Sequence, residues 1–109
     1  VPDRIFFATN KSSLTTASRA TLRKQATFLR KNKNLNVTVE GHADERGTRE
    51  YNLALGERRA NAARDYLMTY GISGKRISVI SYGKEKPVNP ASSPLAWSQN
   101  RRSVTVKVN

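Results

Sequence analysis

Leu35-Asn36-Val37-Thr38-Val39-Glu40 alternates apolar and polar side chains, and Gly41-His42-Ala43-Asp44-Glu45-Arg46-Gly47 then leads into spacings of three and four that last to about Tyr70. Period two marks a strand with one buried face, taken here by Leu35, Val37 and Val39. The later period marks a helix. The Thr48 hydroxyl is suited to cap its first turn, and Gly71 to terminate it. A strand that passes through a charged loop into a long helix is the unit around which the fold is predicted.

Upstream, Arg4-Ile5-Phe6-Phe7 reads as a short strand closed by the turn-prone Thr9-Asn10-Lys11-Ser12-Ser13. A helix is predicted from about Thr16 to Asn32, with Leu22, Ala26 and Leu29 on one face. Downstream, Ile77-Ser78-Val79-Ile80-Ser81-Tyr82 and Ser103-Val104-Thr105-Val106-Lys107-Val108 are strands. Between them Lys84 to Gln99, with Pro87, Pro90 and Pro94, predicts an irregular loop. The order βαβαββ indicates an α+β fold: a two-layer α/β sandwich with two main helices on one face of a four-stranded mixed sheet. Both βαβ crossovers are expected to be right-handed.

At 109 residues the chain is expected to form a single domain over residues 1–109. No apolar run approaches the length of a membrane-spanning helix. Val1-Pro2-Asp3 does not read as a signal peptide, and the opening residues read as the interior of a longer protein. Cysteine is absent, which excludes disulfides and thiol chemistry. Lys and Arg total 20 against 8 Asp and Glu, a net charge of +12. That excess favours an anionic partner: nucleic acid, acidic lipid or an acidic cell-wall polymer.

The second helix carries the sharpest site inference. Asn52, Leu55, Arg59, Ala62, Ala63, Tyr66, Leu67 and Tyr70 share one face, and Arg59 interrupts its apolar stripe. A buried arginine keeps its charge and is expected to need a carboxylate, from the protein or from a ligand. Asp44 is the nearest candidate. With the helix N-terminus, Asn52, Arg46 and Arg59 it would form a cationic, donor-rich mouth around a single anion. A matching ligand has a carboxylate for Arg59 and an ammonium or amide for Asp44. Spacing leaves a second reading open, in which Asp44 and Arg59 are a structural ion pair. Arg46, Arg49 and Glu50 read as solvated loop charges. His42, the single histidine, is in phase with Glu40, and its side is left open at a strand end.

Gly-His-Ala-Asp-Glu-Arg-Gly-Thr at 41–48, followed by Tyr-Asn-Leu-Ala-Leu-Gly-Glu-Arg-Arg-Ala-Asn at 51–61, resembles the OmpA-like peptidoglycan-binding domain family, in its peptidoglycan-associated lipoprotein (Pal) branch. Ile80-Ser81-Tyr82-Gly83-Lys84-Glu85-Lys86-Pro87 and Asn100-Arg101-Arg102-Ser103-Val104 match the family's later motifs, so the resemblance covers nearly the whole chain. It implies an OmpA-like sandwich that binds the peptide stem of peptidoglycan without covalent chemistry and without a cofactor or metal. The implied target is diaminopimelate, whose side chain ends in an ammonium and a carboxylate. On the family's pattern the gripping aspartate falls on Asp44 and the helix arginine on Arg59. Arg46, Leu55, Asn52, His42, Phe7 and the residue after it, Ala8, complete the implied site. The resemblance further implies an outer-membrane lipoprotein facing the periplasm, a lipid anchor outside this chain, a role in the Tol-Pal system and cell division, and TolB as partner.

One departure stands out. Family members commonly carry Asp after the first-strand aromatic, where this chain has Ala8, and Asn10 stands where an acid is frequent. Ala8 can offer only a backbone contact, and both changes make the mouth more cationic. Nucleic-acid binding has little support beyond charge, because no aromatic sheet motif, helix-turn-helix or zinc spacing is present. Arg19, Arg23, Lys24, Arg30, Lys31 and Lys33 read as a solvated or wall-facing surface. An enzyme is disfavoured by a lone histidine and by serines without a nucleophile-elbow pattern.

Overall fold

A computed structural model describes residues 1–108. In chain order it contains β1 (Arg4–Phe6), α1 (Thr16–Lys31), β2 (Asn36–His42), α2 (Arg49–Thr69), β3 (Ile77–Gly83), α3 (Pro94–Asn100) and β4 (Arg102–Val108), with a short 3₁₀ turn (Gly74–Arg76) before β3. The sheet has four strands in the order β1-β4-β2-β3. β4 runs antiparallel to both β1 and β2, whereas β2 and β3 are parallel. The α+β class and the mixed four-stranded sheet agree with the sequence reading.

The helices form where local chemistry supports them. The Thr15 hydroxyl accepts from the Ser18 N–H at the start of α1, and the Thr48 hydroxyl accepts from the Tyr51 N–H at the start of α2. Leu22, Ala26 and Leu29 of α1 meet Ala60, Ala63 and Leu67 of α2 over Ile5, Val37, Val39 and Ile77 of the sheet. The main core lies on one face of the sheet; on the other, Phe6, Ile80 and Val106 are exposed while His42, Arg102 and Val104 are buried.

α3 corrects the loop expected over Lys84 to Gln99. Pro94 does not break a helix here; it begins one. The Ser93 hydroxyl accepts from the Ala96 N–H, and Pro94 occupies the first turn, where its missing N–H costs nothing. Ala96 and Asn100 anchor the helix by burial, and the Asn100 carboxamide oxygen accepts from the Val88 and Asn89 N–H groups. The buried stripe of α2 is also wider than its spacing suggested. It includes Gly56 and Ala60, while Ala62, Tyr66 and Tyr70 are half-buried.

Gly56 explains how α2 seats on the sheet. A Cβ on Gly41 would lie 1.6 Å from the Gly56 carbonyl oxygen, and one on Gly56 would lie 2.3 Å from Ser81 Oγ. Helix and strand backbones therefore touch, with no room for a side chain between them. The Ser81 hydroxyl donates to the Leu53 carbonyl at 2.7 Å, which fixes the same contact from β3. Gly41→Ala must push α2 off β2 and is expected to cost about 3 kcal/mol or more of unfolding free energy by urea titration. A loss below about 0.5 kcal/mol would show that the helix has room to move.

Candidate functional site

β2 continues to His42, past the predicted end of the strand, so Ala43 and Asp44 leave the sheet where β1, β2 and β3 all deliver their loops. The Ala43 N–H still donates to the Gly83 carbonyl at 2.8 Å, holding the first residue after the strand in line. Beyond it lies a cavity of about 230 Å³ lined by Thr9, Asn10, Asp44, Arg46, Gly47, Tyr51, Asn52, Leu55 and Arg59. The carboxyl ends of strands, beside a helix start, are where an α/β arrangement gathers its polar loops.

Arg59 forms the floor, with 0% of its surface exposed. Its partners correct the sequence expectation: no carboxylate holds it. Nε donates to the Lys11 carbonyl at 2.9 Å, Nη1 to the His42 carbonyl at 2.8 Å and Nη2 to the Ala8 carbonyl at 3.1 Å. Three backbone oxygens take the place of the expected anion, and the guanidinium lies 5.3 Å from the centre of the Phe7 ring. Burial, helped by the Arg101 charge, pushes the guanidinium down to about 10 against the pull of Asp44. The group stays charged at neutral pH. Three of the five N–H donors of the fork are thereby engaged.

Asp44 forms the wall and is 7% exposed. Its oxygens accept from Arg46 Nε at 3.1 Å, Arg46 Nη2 at 2.8 Å and the Arg46 backbone N–H at 3.0 Å. Arg101 Nη1 adds a longer contact of 3.4 Å. Burial alone would raise this carboxyl, but the hydrogen bonds and charge of Arg46 and Arg101 outweigh it and leave Asp44 below the usual carboxylate range. The wall is therefore an ionised carboxylate among three guanidinium groups, and the cavity as a whole is electropositive.

Asn52 shapes the loop. Its amide donates to the carbonyls of Arg46 and Thr48 at 2.8 and 3.0 Å, folding the loop across the start of α2. Gly47 makes that turn at φ +95°, a value that side-chain-bearing residues rarely adopt. Leu55 supplies an apolar side to the cavity. Phe7 lies beneath Arg59 in the core, and Ala8 takes part through its carbonyl alone. His42 also takes part only through its carbonyl. Its ring lies on the Glu40 side of the sheet, with Nε2 donating to Glu40 Oε1 at 3.3 Å and the ring stacked on Tyr82 at 5.5 Å.

Other participants were not legible beforehand. Tyr51 reaches across the mouth and its hydroxyl donates to Asn10 Oδ1 at 3.3 Å. Arg101 approaches Asp44 from 57 residues away in sequence while its Nε donates to the Phe7 carbonyl at 2.9 Å. Trp97 of α3 donates from Nε1 to Glu45 Oε2 at 2.7 Å, and its ring carries the Arg46 guanidinium at 4.1 Å. α3 thus braces the loop that contains Asp44. Spacing within one segment gives no access to these long-range contacts. The Asn100-Arg101-Arg102 motif was the one visible signal for Arg101.

Among the described residues no group of three His, Cys, Asp or Glu side chains is placed to hold a metal. The arrangement suits recognition of a small group that carries both charges: an anionic end for Arg46 and Arg59, a cationic end for Asp44.

Residues 6–101 match the OmpA family. The chain is 59% identical over 106 residues to the peptidoglycan-associated lipoprotein of Rhizobium meliloti strain 1021, covering 97% of this chain and 60% of that protein. It is 57% identical to the protein of the same name from Agrobacterium fabrum strain C58, with the same coverage. The crystal structure of the peptidoglycan-associated lipoprotein from Burkholderia pseudomallei superposes with a TM-score of 0.95 at 36% identity, over 98% of this chain and 91% of that one. The chain spans about 60% of the length of the first two relatives.

Two measurements test this geometry. Arg59→Ala strands three carbonyl oxygens and is expected to lower unfolding free energy by about 3 kcal/mol or more without any ligand; an unchanged urea midpoint would refute the carbonyl clamp. His42 is pushed down to about 4 by burial, with the Arg102 charge acting in the same direction. The unfolded chain binds its proton near pH 6.5, so the folded state loses stability as pH falls from about 6.5 to about 4, by about 3 kcal/mol in all. In His42→Gln that part of the pH profile should flatten.

Proposed function

The chain belongs to the OmpA family, and from that premise we propose that its pocket binds the peptide stem of peptidoglycan at diaminopimelate, without covalent chemistry. The observation that supports this most is the juxtaposition of the ionised Asp44 with the guanidinium groups of Arg46 and Arg59 in one cavity of amino-acid size. Diaminopimelate ends in a carboxylate and an ammonium on one carbon. The ammonium meets Asp44, exchanging one cation for another. The carboxylate meets the N–H groups of Arg59 that the backbone leaves over, with Arg46 at the rim. Leu55 packs against the methylene stem, and Asn52 holds the loop in register. The Ala8 carbonyl, already engaged by Arg59, orients the clamp and offers no charge of its own. The domain spanning residues 1–109 acts by binding and not by catalysis.

In the envelope this domain tethers the outer membrane to the cell wall. It belongs to a lipoprotein held at the periplasmic face of the outer membrane by an N-terminal lipid. It works in the Tol-Pal system in envelope integrity and cell division, with TolB as a partner. The names of the relatives support the wall and the lipid; the remainder follows from the family resemblance.

Calorimetry with a diaminopimelate-containing muropeptide is expected to give saturable binding. Asp44→Asn should weaken it by about 2–5 kcal/mol while the melting curve without ligand stays cooperative. A muropeptide with lysine in place of diaminopimelate lacks the terminal carboxylate and should bind at least about tenfold more weakly. Equal affinity for both muropeptides would overturn the assignment of Arg59 and Arg46 to that carboxylate.

A further inference from the structure

The cavity is one concentration of charge; a second lies at the opposite end of the molecule. Arg76 donates to the carbonyls of Leu29, Asn32 and Leu35 at 2.8–2.9 Å and so ties the last turn of α1 to the 3₁₀ turn before β3. Arg30, Lys31, Lys33, Lys75 and Arg76 are thereby gathered at one end, and Lys107 joins them because β4 pairs it with Val37 near the start of β2. The segments 30–36, 71–77 and 106–108 contain no Asp or Glu, and the chain has none between Asp3 and Glu40. Among the described residues no carboxylate lies within ion-pair distance of these cations, whereas Arg46, Arg49 and Arg101 near the cavity are all paired. The one carboxylate at this end, Asp3, is taken up by Arg4, and like charges held together with so little counter-charge repel one another and favour an anionic partner.

Two observations identify the partner. The basic end is not purely polar: Val106 and Val108 are exposed beside it, and Leu35 and Phe28 are half-buried. Lysine stems set among aliphatic side chains suit a lipid–water boundary, where the stems bury and the charges stay wet. Val1, Pro2 and Asp3 line a cleft with Phe28, Leu35 and Lys107, so the segment leading into β1 lies at this end. The inference rests here on the reading above, in which an N-terminal lipid anchors the protein. A tether entering at this end is compatible with the basic end facing the membrane. α2 runs from the cavity at Asn52 to the basic end at Thr69, about 25 Å at the rise of an α-helix.

We propose that the end formed by the last turn of α1, the 3₁₀ turn and the close of β4 docks on an anionic phospholipid surface, presenting the cavity outward toward the wall. Lipid anchor and basic surface then add to one another in holding the domain at the membrane.

Co-sedimentation of this chain with vesicles of phosphatidylglycerol and phosphatidylcholine in equal parts, against vesicles of phosphatidylcholine alone, tests it at physiological ionic strength. Binding is expected on the anionic vesicles only. Lys33→Glu/Lys75→Glu should lower the partition coefficient about tenfold or more, while Arg58→Glu/Lys86→Glu, with the same change in net charge, should leave it within about twofold. Equal losses in the two double variants, or no binding to anionic vesicles, would overturn the docking surface. Calorimetry separates this from the cavity: Asp44→Asn should sediment with vesicles like the parent, and Lys33→Glu/Lys75→Glu should bind muropeptide like the parent. Vesicle binding that depended on Asp44 would also overturn the proposal.

Discussion

The Arg59 guanidinium, shut away where α2 passes the ends of β1 and β2, is satisfied by the carbonyls of Ala8, Lys11 and His42, three oxygens from two segments. The helix, the loop after β1 and the end of β2 are bound through one planar group. A lysine could not do this, because it has no rigid fork of donors. Neutral acceptors solvate the charge without cancelling it, so the floor of the cavity stays cationic. An acid in their place would have ended the attraction for an anionic ligand. The same choice of partner gives both the fold at this point and the sign of the field above it.

Asp44 is held by the opposite logic. It is ionised because Arg46 and Arg101 approach it, and Arg46 is in turn seated over Trp97. The wall of the cavity thus rests on α3, through the bond from Trp97 to Glu45. Any cation arriving at Asp44 would compete with a guanidinium that has somewhere else to go, since the indole face lies under it. Because one cation replaces another, the buried carboxylate is never left unpaired, which is the costly case.

Periodicity carried the sequence reading through the strands and the two long helices, because those elements bury one face and their apolar spacing records it. It did not carry through Lys84 to Asn100. There the ordering comes from a cap, a proline in the first turn and the Asn100 side chain, each a single residue without a period. In the site, Asp44 and Arg59 were legible, the arginine because it stood on an apolar stripe. The identity of its partner was not, since carbonyl oxygens are present at every residue and leave no mark on composition. The roles of His42 and Ala8 were obscured for the same reason: both act through the backbone, and the His42 ring lies with Glu40 on the other face of the sheet.

The strand order β1-β4-β2-β3 has a consequence for synthesis. β1 pairs only with β4, and β4 also separates β1 from β2, so an internal strand of the sheet follows the other three in chain order. Until residues 102–108 exist, the chain can close α2 over β2 and β3 but cannot complete the sheet. The loop after β1, which supplies two of the carbonyls to Arg59, has no fixed place until then. The topology makes β4 a keystone, slotted between β1 and β2 after both have been made. A nascent copy halted before β4 therefore has neither a closed sheet nor a formed cavity, and the fold itself separates copies that carry β4 from those that do not.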